Sequence, residues 1–285
     1  MLAAAAWCVL AFGLLMVLAY YVPAAAWLDA AALHGFVAAG DPGQVADLAT
    51  VLAHLCNPLP YAIAGLVTIA IAYRARGPRT AAAVTFLLGG ANVTSQALKP
   101  LLAHHREIYY TEFKLYNIRD AAFPSGHATA AMALSLAILI IVPRSYRPVT
   151  AALGAAFTIT ISFSVLILEW HFPSDVVGGY LIATGYGLAT FAALRYAAER
   201  WPEHGTMRHA AREAIGAPSP AAIARAALAA AVVGALVAVS KAEQIAAFAD
   251  RHTAFVAVAS AIAVAAAVLL AAVAAISGTG RHSSG

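Results

Sequence analysis

Two polar patches interrupt this apolar chain, and each holds a histidine beside groups that can handle phosphate. The first ends in Pro-Ser-Gly-His at 124–127, directly before an apolar segment. The N–H groups at a helix N-terminus attract anions, and glycine lets the backbone approach a ligand closely. The hydroxyl of Ser125 and the N–H of Gly126 therefore suit phosphate, although the same tripeptide also serves as an ordinary helix start.

The second patch, residues 169–175, places His171 and Asp175 four positions apart. A turn into a helix can bring such a pair together. A carboxylate bonded to one imidazole nitrogen fixes the tautomer and leaves the other nitrogen free to attack or bind. Histidine and aspartate are also common as plain polar groups at a membrane boundary, so the patch alone leaves both readings open.

Charged residues are concentrated ahead of the first motif. Seven lie within 99–125, together with His104 and His105: Lys99, Arg106, Glu107, Glu112, Lys114, Arg119 and Asp120. Each patch supplies what the other lacks, because one offers anion-binding groups and the other a nucleophile. Together they favour phosphate chemistry.

The composition defines the scaffold that must position these groups. Of 285 residues, 62% are apolar and only 11% are charged, against about 25% charged in soluble domains. This balance excludes a soluble globule and a disordered chain, and it predicts an all-α, polytopic membrane protein. The net charge of +4 comes from scattered basic residues, so no nucleic-acid partner is predicted. Cys8 and Cys56 are predicted to be buried free thiols.

Hydropathy predicts eight membrane spans, the second of them interrupted at Asn57-Pro58-Leu59-Pro60. They are 2–22, 46–73, 80–98, 127–142, 149–169, 175–197, 221–240 and 254–276. The chain is thus predicted to divide into three parts. Residues 1–197 form a six-helix core with its motifs within 99–175, residues 198–220 form a cytoplasmic connector, and residues 221–285 add two spans and a tail.

Most of the 17 Lys and Arg residues fall in one set of connectors and the C-terminal tail. Because positive loops stay in the cytoplasm, both termini are predicted there and both polar patches on the extracytoplasmic face. The predicted location is a plasma membrane, most simply a bacterial one. The bilayer is then the partner of the spans, and the oligomeric state is not predicted.

The motifs resemble the type 2 phosphatidic acid phosphatase (PAP2) superfamily over roughly residues 80–197. Lys99 with Arg106 seven positions later, the 124–127 motif, and Ser164 with His171 and Asp175 match its three-part signature in order and spacing. Two positions depart from that pattern. Glu107 stands where proline is usual, and Val165 stands where the family places a phosphate-gripping arginine. Arg119 is the candidate compensating cation.

The resemblance implies an integral-membrane lipid phosphatase without a metal or other cofactor. It implies that His171 is the nucleophile that forms a phosphohistidine, that Asp175 orients it, and that His127 acts as general acid and then base. Lys99, Arg106, Ser125 and Gly126 would hold the phosphoryl oxygens. The expected substrate is a membrane lipid phosphate, either a monoester such as phosphatidic acid or phosphatidylglycerophosphate, or a polyprenyl phosphate or diphosphate.

Two alternatives stay open at this level. The same histidine could pass the phosphoryl group to a lipid acceptor instead of water, which would make the protein a phosphotransferase. A non-catalytic lipid-binding or transport protein could also retain a degenerate phosphate site.

Overall fold

A computed structural model describes residues 1–40, 43–106, 112–115, 118–201 and 241–276. This part of the chain is helical and forms ten α-helices. They are α1 Leu2–Tyr21, α2 Pro23–Ala39, α3 Gln44–His54, α4 Pro58–Arg76, α5 Pro78–Leu101, α6 Gly126–Ile141, α7 Arg147–Ile167, α8 Pro173–Arg200, α9 Ala242–Arg251 and α10 Thr253–Ile276. A short 3₁₀ turn, Arg144–Tyr146, precedes α7.

Six helices of the described part are long and apolar enough to cross a membrane: α1, α4, α5, α7 with its preceding 3₁₀ turn, α8 and α10. A seventh, α6, is shorter at 16 residues but almost wholly buried at the centre of the bundle. The predicted all-α membrane bundle is confirmed, and the bounds agree with the prediction for most spans. The predicted span 221–240, most of the connector and residues 277–285 lie outside the described residues.

The predicted interruption before α4 is a complete break between two helices. A single interrupted span was expected over 46–73, whereas α3 and α4 are separate helices joined through Asn57. Pro58 begins α4, and the residue before a proline is pushed into extended backbone, here φ −63° and ψ 158° at Asn57. The break thus falls just before Pro58. Helix α2 was not predicted at all, because its apolar residues follow α1 with only Val22 between the two helices.

Alternating helix directions bring the two polar patches to one end of the bundle. There the N–H of Ser125 donates to the backbone carbonyl of Asp175 at 2.8 Å. At the opposite end, Arg76 donates from Nε to the carbonyl of Ile141 at 2.8 Å, and Arg79 donates to the carbonyl of Trp201. The two polar patches and this arginine-rich end therefore lie at opposite ends of the spans, and which side each faces stays a prediction.

Small residues allow the helices around α6 to pack closely. A methyl group at Gly179 of α8 would lie 2.7 Å from the carbonyl oxygen of Ser125, and one at Gly154 of α7 would lie 2.9 Å from Cβ of Ser135. Backbones can approach this closely only where side chains are minimal. Cys8 and Cys56 are buried free thiols, which confirms that prediction.

Candidate active site

The end of α7 turns the chain so that His171 reaches the site. Glu169 adopts a left-handed conformation with φ 57°. The N–H of Trp170 donates to the carbonyl of Val165, and the N–H of Glu169 donates to that of Leu166, each at 3.0 Å. This is a Schellman helix end with glutamate where glycine is usual. It stops α7 and presents the next two residues to the first turn of α8.

The first turn of α8 fixes the carboxylate of the predicted dyad. Asp175, fully buried, accepts from the N–H of Phe172 through Oδ2 at 2.9 Å. The same oxygen lies 3.5 Å from Nδ1 of His171, the outer limit of a hydrogen bond. The four-residue spacing thus brings the pair together, with room for the contact to shorten when the ring is charged.

The surroundings of His171 favour its neutral form. Burial lowers the pKa of His171, Asp175 raises it, and the nearby Lys99 lowers it further, so that the net shift is downward. A neutral imidazole carries the lone pair needed for nucleophilic attack. At neutral pH His171 is therefore in the protonation state that its predicted role requires.

The start of α6 forms an anion-binding turn. Oγ of Ser125 accepts from the N–H of Ala128 at 3.3 Å and thereby caps the helix. Gly126 leaves space that α5 side chains approach: a methyl group there would lie 2.7 Å from Nε2 of Gln96 and 3.9 Å from Nζ of Lys99. The predicted phosphate ligands Lys99, Ser125 and Gly126 thus lie together, and Gln96 joins them as a residue that the motifs did not indicate.

His127 lies at the same turn and faces the second histidine. Its ring centroid is 6.4 Å from that of His171 and 5.5 Å from the ring of Trp170. Its Nε2 lies 3.0 Å from Oδ1 of Asn57, at the N-cap of α4. Sequence reasoning treated Asn57 only as part of a helix break. An amide directly before a Pro-X-Pro sequence inside an apolar segment was the available signal.

Arg106 lies in a buried network of charges. Its side chain is 7% exposed, and it donates to Oδ2 of Asp29 at 3.0 Å and to Oδ1 of Asp175 at 3.2 Å. The guanidinium carbon lies 4.8 Å from the ring centroid of Tyr20 and 4.3 Å from that of Phe172. The structure therefore ties Arg106 directly to the carboxylate of the dyad.

Asp29 of α2 is the third residue that the motifs missed. Its Oδ1 accepts from the N–H of Ser174 at 2.8 Å, and its Oδ2 accepts from the hydroxyl of Ser174 at 2.5 Å as well as from Arg106. It is the sole acidic residue between Val22 and Gly40. An isolated acid in apolar surroundings commonly marks a functional site, and that was the signal in the sequence.

Val165, which stands where the family has an arginine, packs in the apolar core. Val165 is completely buried in the core. Arg119 is exposed and lines a small cavity with Arg106 and Phe172, and it lies near enough to Lys99 for the two cations to repel each other. Arg119 thus lies beside the site, and its compensating role stays a prediction. Glu107 lies outside the described residues.

These groups together suit phosphoryl transfer. Two histidines face each other, one backed by a carboxylate, and a helix N-terminus with a lysine and an amide lies beside them. Within the described residues, histidine, cysteine, aspartate and glutamate form no group of three or more that could hold a metal ion.

Comparisons with known proteins agree with this arrangement. Residues 79–199 match the model of the PAP2 superfamily. The crystal structure of a transmembrane PAP2-type phosphatidylglycerolphosphate phosphatase from Bacillus subtilis aligns with a TM-score of 0.57 and 16% identity, covering 67% of this chain and 96% of that one. No curated protein matches. The resemblance read from the motifs is confirmed, and it supports a membrane lipid phosphatase in general.

Proposed function

We propose that this protein hydrolyses the phosphomonoester or diphosphate of a membrane lipid phosphate through a phosphohistidine intermediate on His171. The observation that carries the proposal is the pair of facing histidine rings, 6.4 Å between centroids, beside the start of α6. One ring lies against a buried carboxylate and the other begins the anion-binding helix. This division suits a nucleophile and a proton donor acting on one phosphorus atom.

In the first step, Nε2 of neutral His171 attacks phosphorus while the ester P–O bond breaks. A N–P bond forms, and the ring gains positive charge that Asp175 stabilises through Nδ1–H. This step requires His127 in its protonated form, which gives its proton to the departing oxygen, and that oxygen leaves as an alcohol or a phosphate. The 3.5 Å contact between His171 and Asp175 shortens as the ring becomes charged.

In the second step, the now neutral His127 takes a proton from water, and the water oxygen attacks the phosphohistidine. The N–P bond breaks, inorganic phosphate leaves, and His171 returns to its neutral form. The two roles of His127 follow from microscopic reversibility, since the acid of one step is the base of the next.

The phosphoryl oxygens are held beside Gly126, where several hydrogen-bond donors lie close together. Lys99 supplies a cation, Gly126 supplies its N–H, and the hydroxyl hydrogen of Ser125 is available because its oxygen is the capping acceptor. Arg119 takes the role that Val165 cannot fill, and Arg106 contributes positive charge from behind the dyad. Such preorganised donors stabilise transition-state charge, so the proposal needs no metal or other cofactor.

The substrate class follows from where the donors lie. The site is at the ends of apolar spans, so a phosphate whose hydrocarbon tail stays in the bilayer can reach it. On the topology predicted from the arginines, the site opens on the extracytoplasmic face of the plasma membrane and both termini are cytoplasmic.

Phosphate release by purified protein tests the proposal, with phosphatidic acid, phosphatidylglycerophosphate and a polyprenyl diphosphate as substrates. We expect turnover of at least one of them, loss of that turnover in His171→Ala and His127→Ala, and inhibition by vanadate. We also expect an alkali-stable phosphoprotein in rapidly quenched wild type and none in His171→Ala. His252→Ala is the control, because this ring lies against Phe248 and His34 and not against the two site histidines.

The phosphate-release assay gives a different result for each alternative function. Unchanged turnover in either site variant would refute the mechanism. A phosphorylated acceptor lipid in place of free phosphate would identify a phosphotransferase, and lipid binding without any turnover would identify a non-catalytic binding or transport protein.

A further inference from the structure

Three charged side chains behind His171 are buried together: Asp29, Arg106 and Asp175. Their exposed fractions are 8%, 7% and 0%. Arg106 lies between the two carboxylates and donates to each. The cluster therefore combines two carboxyl groups with one guanidinium in a place where water screens charges poorly.

We infer that Asp29 is a positioning residue of this site, which neutralises Arg106 and so leaves the charge of Asp175 available to His171. The inference rests on the proposed role of His171 as the nucleophile. It extends the site beyond the three motifs, since Asp29 belongs to α2 and lies outside the matched residues 79–199.

The charge balance explains why a second carboxylate is needed. If Asp175 faced only Arg106, the pair would be neutral and would attract a charged imidazole weakly. With Asp29 present, the cluster carries one net negative charge, which matches the one positive charge that the ring of His171 gains on phosphorylation. Phosphohistidine formation is thereby favoured electrostatically.

The neighbours of Asp29 supply hydrogen-bond donors that oppose its protonation. Burial, together with the nearby Asp175, raises the pKa of the Asp29 carboxyl on balance, and Arg106 and the two hydrogen bonds from Ser174 act against that shift. All three partners can donate: the guanidinium at 3.0 Å, the Ser174 N–H at 2.8 Å and the Ser174 hydroxyl at 2.5 Å. Three converging donors favour a carboxylate over a protonated acid.

The network also fixes geometry. The rings of Tyr20 and Phe172 both lie close to the guanidinium of Arg106, and Ser174 links α2 to the first turn of α8 through its hydrogen bonds to Asp29. A purely structural role for Asp29 would act through these contacts alone. Charge and structure can be separated, because Ser174→Ala removes one hydrogen bond to Asp29 and leaves every charge in place.

The test compares the pKa of His171 in Asp29→Asn, Ser174→Ala and the wild type. It uses NMR of isotope-labelled histidine in nanodiscs, with the resonance assigned by its absence from His171→Ala. The ionisable groups facing His171 are Asp175 of α8, Lys99 of α5 and His127 of α6, with Arg106 and Asp29 behind Asp175. All of these stay in place in Ser174→Ala.

Removing the charge of Asp29 destabilises the imidazolium, so we expect its pKa to fall by about one unit in Asp29→Asn. The acid limb of the pH profile of kcat/KM moves to lower pH together with the pKa of His171, and kcat falls about tenfold. Ser174→Ala lowers the melting temperature but leaves that pKa within about 0.3 units, and the exposed Asp47→Asn changes neither. Equal pKa values in Asp29→Asn and Ser174→Ala would overturn the inference.

A double variant keeps the test decisive if Asp29→Asn folds poorly. Asp29→Asn with Arg106→Gln restores one net negative charge, so we expect the pKa of His171 to return to the wild-type value. A pKa as low as in the single variant would refute the charge balance. The NMR readout needs no turnover, so a wild type that releases no phosphate would refute the proposed function and still leave this inference tested.

Discussion

Replacing Gly179 with alanine tests whether the packing of α8 against α6 sets the geometry of the site. A methyl group at Gly179 would lie 2.7 Å from the carbonyl oxygen of Ser125, 2.9 Å from Oγ1 of Thr129 and 3.0 Å from the N–H nitrogen of Thr129. Two of these three atoms are backbone, so no side-chain rotation relieves the contact. Either α8 or the first turn of α6 must move.

The movement would displace residues that take part in the proposed reaction. Ser125 is bonded through its N–H to the carbonyl of Asp175 at 2.8 Å, so a shift between the helices separates the anion-binding turn from the dyad. Overpacking of this kind costs about 1–3 kcal/mol. A misplacement near 1 Å can reduce a rate by about 10²-fold. We therefore expect a lower melting temperature and at least a tenfold lower kcat.

Gly185→Ala is the matched control on the same helix. The nearest atoms to a methyl group there are Cβ of Cys8 at 3.6 Å and the carbonyl oxygen of Ala5 at 3.9 Å, both ordinary contacts. Since alanine is favoured over glycine within a helix by roughly 0.8–1 kcal/mol, this variant should match or exceed wild-type stability. Thermal unfolding and phosphate release are measured for both variants in the same nanodiscs. Equal stability and turnover in the two would refute the packing argument.

Two further substitutions probe groups at the edge of the site. Asn57→Leu removes the hydrogen-bond acceptor for His127, and we expect kcat to fall at least tenfold with KM nearly unchanged. Asn57→Asp keeps an acceptor and should retain most of the turnover. Equal rates in the two variants would exclude a role for that hydrogen bond. Arg119→Ala should lower kcat/KM well beyond twofold, and the exposed control Arg74→Ala should not. A change within twofold in Arg119→Ala, equal to that of the control, would contradict the hypothesis that Arg119 compensates for Val165. Steady-state phosphate release measures all of these variants.

The apolar runs of the sequence predicted the spans well because burial in lipid requires nearly continuous apolar residues. The exceptions were α2 and α3, where the apolar pattern alone does not separate a span from a helix lying beside the site. The break before Pro58 follows from local backbone sterics and was expected. Its consequence, the placement of Asn57 against His127, depends on how α4 packs on α6 and has no signature in spacing.

The motif residues were found because their spacing along the chain is short and fixed by local turns. His171 and Asp175 lie within one helical start, and Ser125 and Gly126 lie within another. Asp29 lies 77 positions from Arg106 in the chain, so only the folded structure reveals the pair. Local periodicity does not identify partners that lie far apart in the chain. A lone acidic residue in an apolar stretch indicates only that such a partner is needed.

The short central helix α6 has a consequence for the depth of the site. Its 16 residues rise about 24 Å, whereas the hydrocarbon layer is about 30 Å thick. With the interface placed at Arg76 and Arg144, at the end where α6 finishes, we expect Ser125 and Gly126 a few ångströms below the opposite plane of lipid headgroups. Helices α5 and α8 beside α6 have 24 and 28 residues and are long enough to cross the layer, so the shortfall lies inside the protein and not against the lipid. A lipid phosphate therefore has to descend below the headgroups, between longer helices, to reach the two histidines.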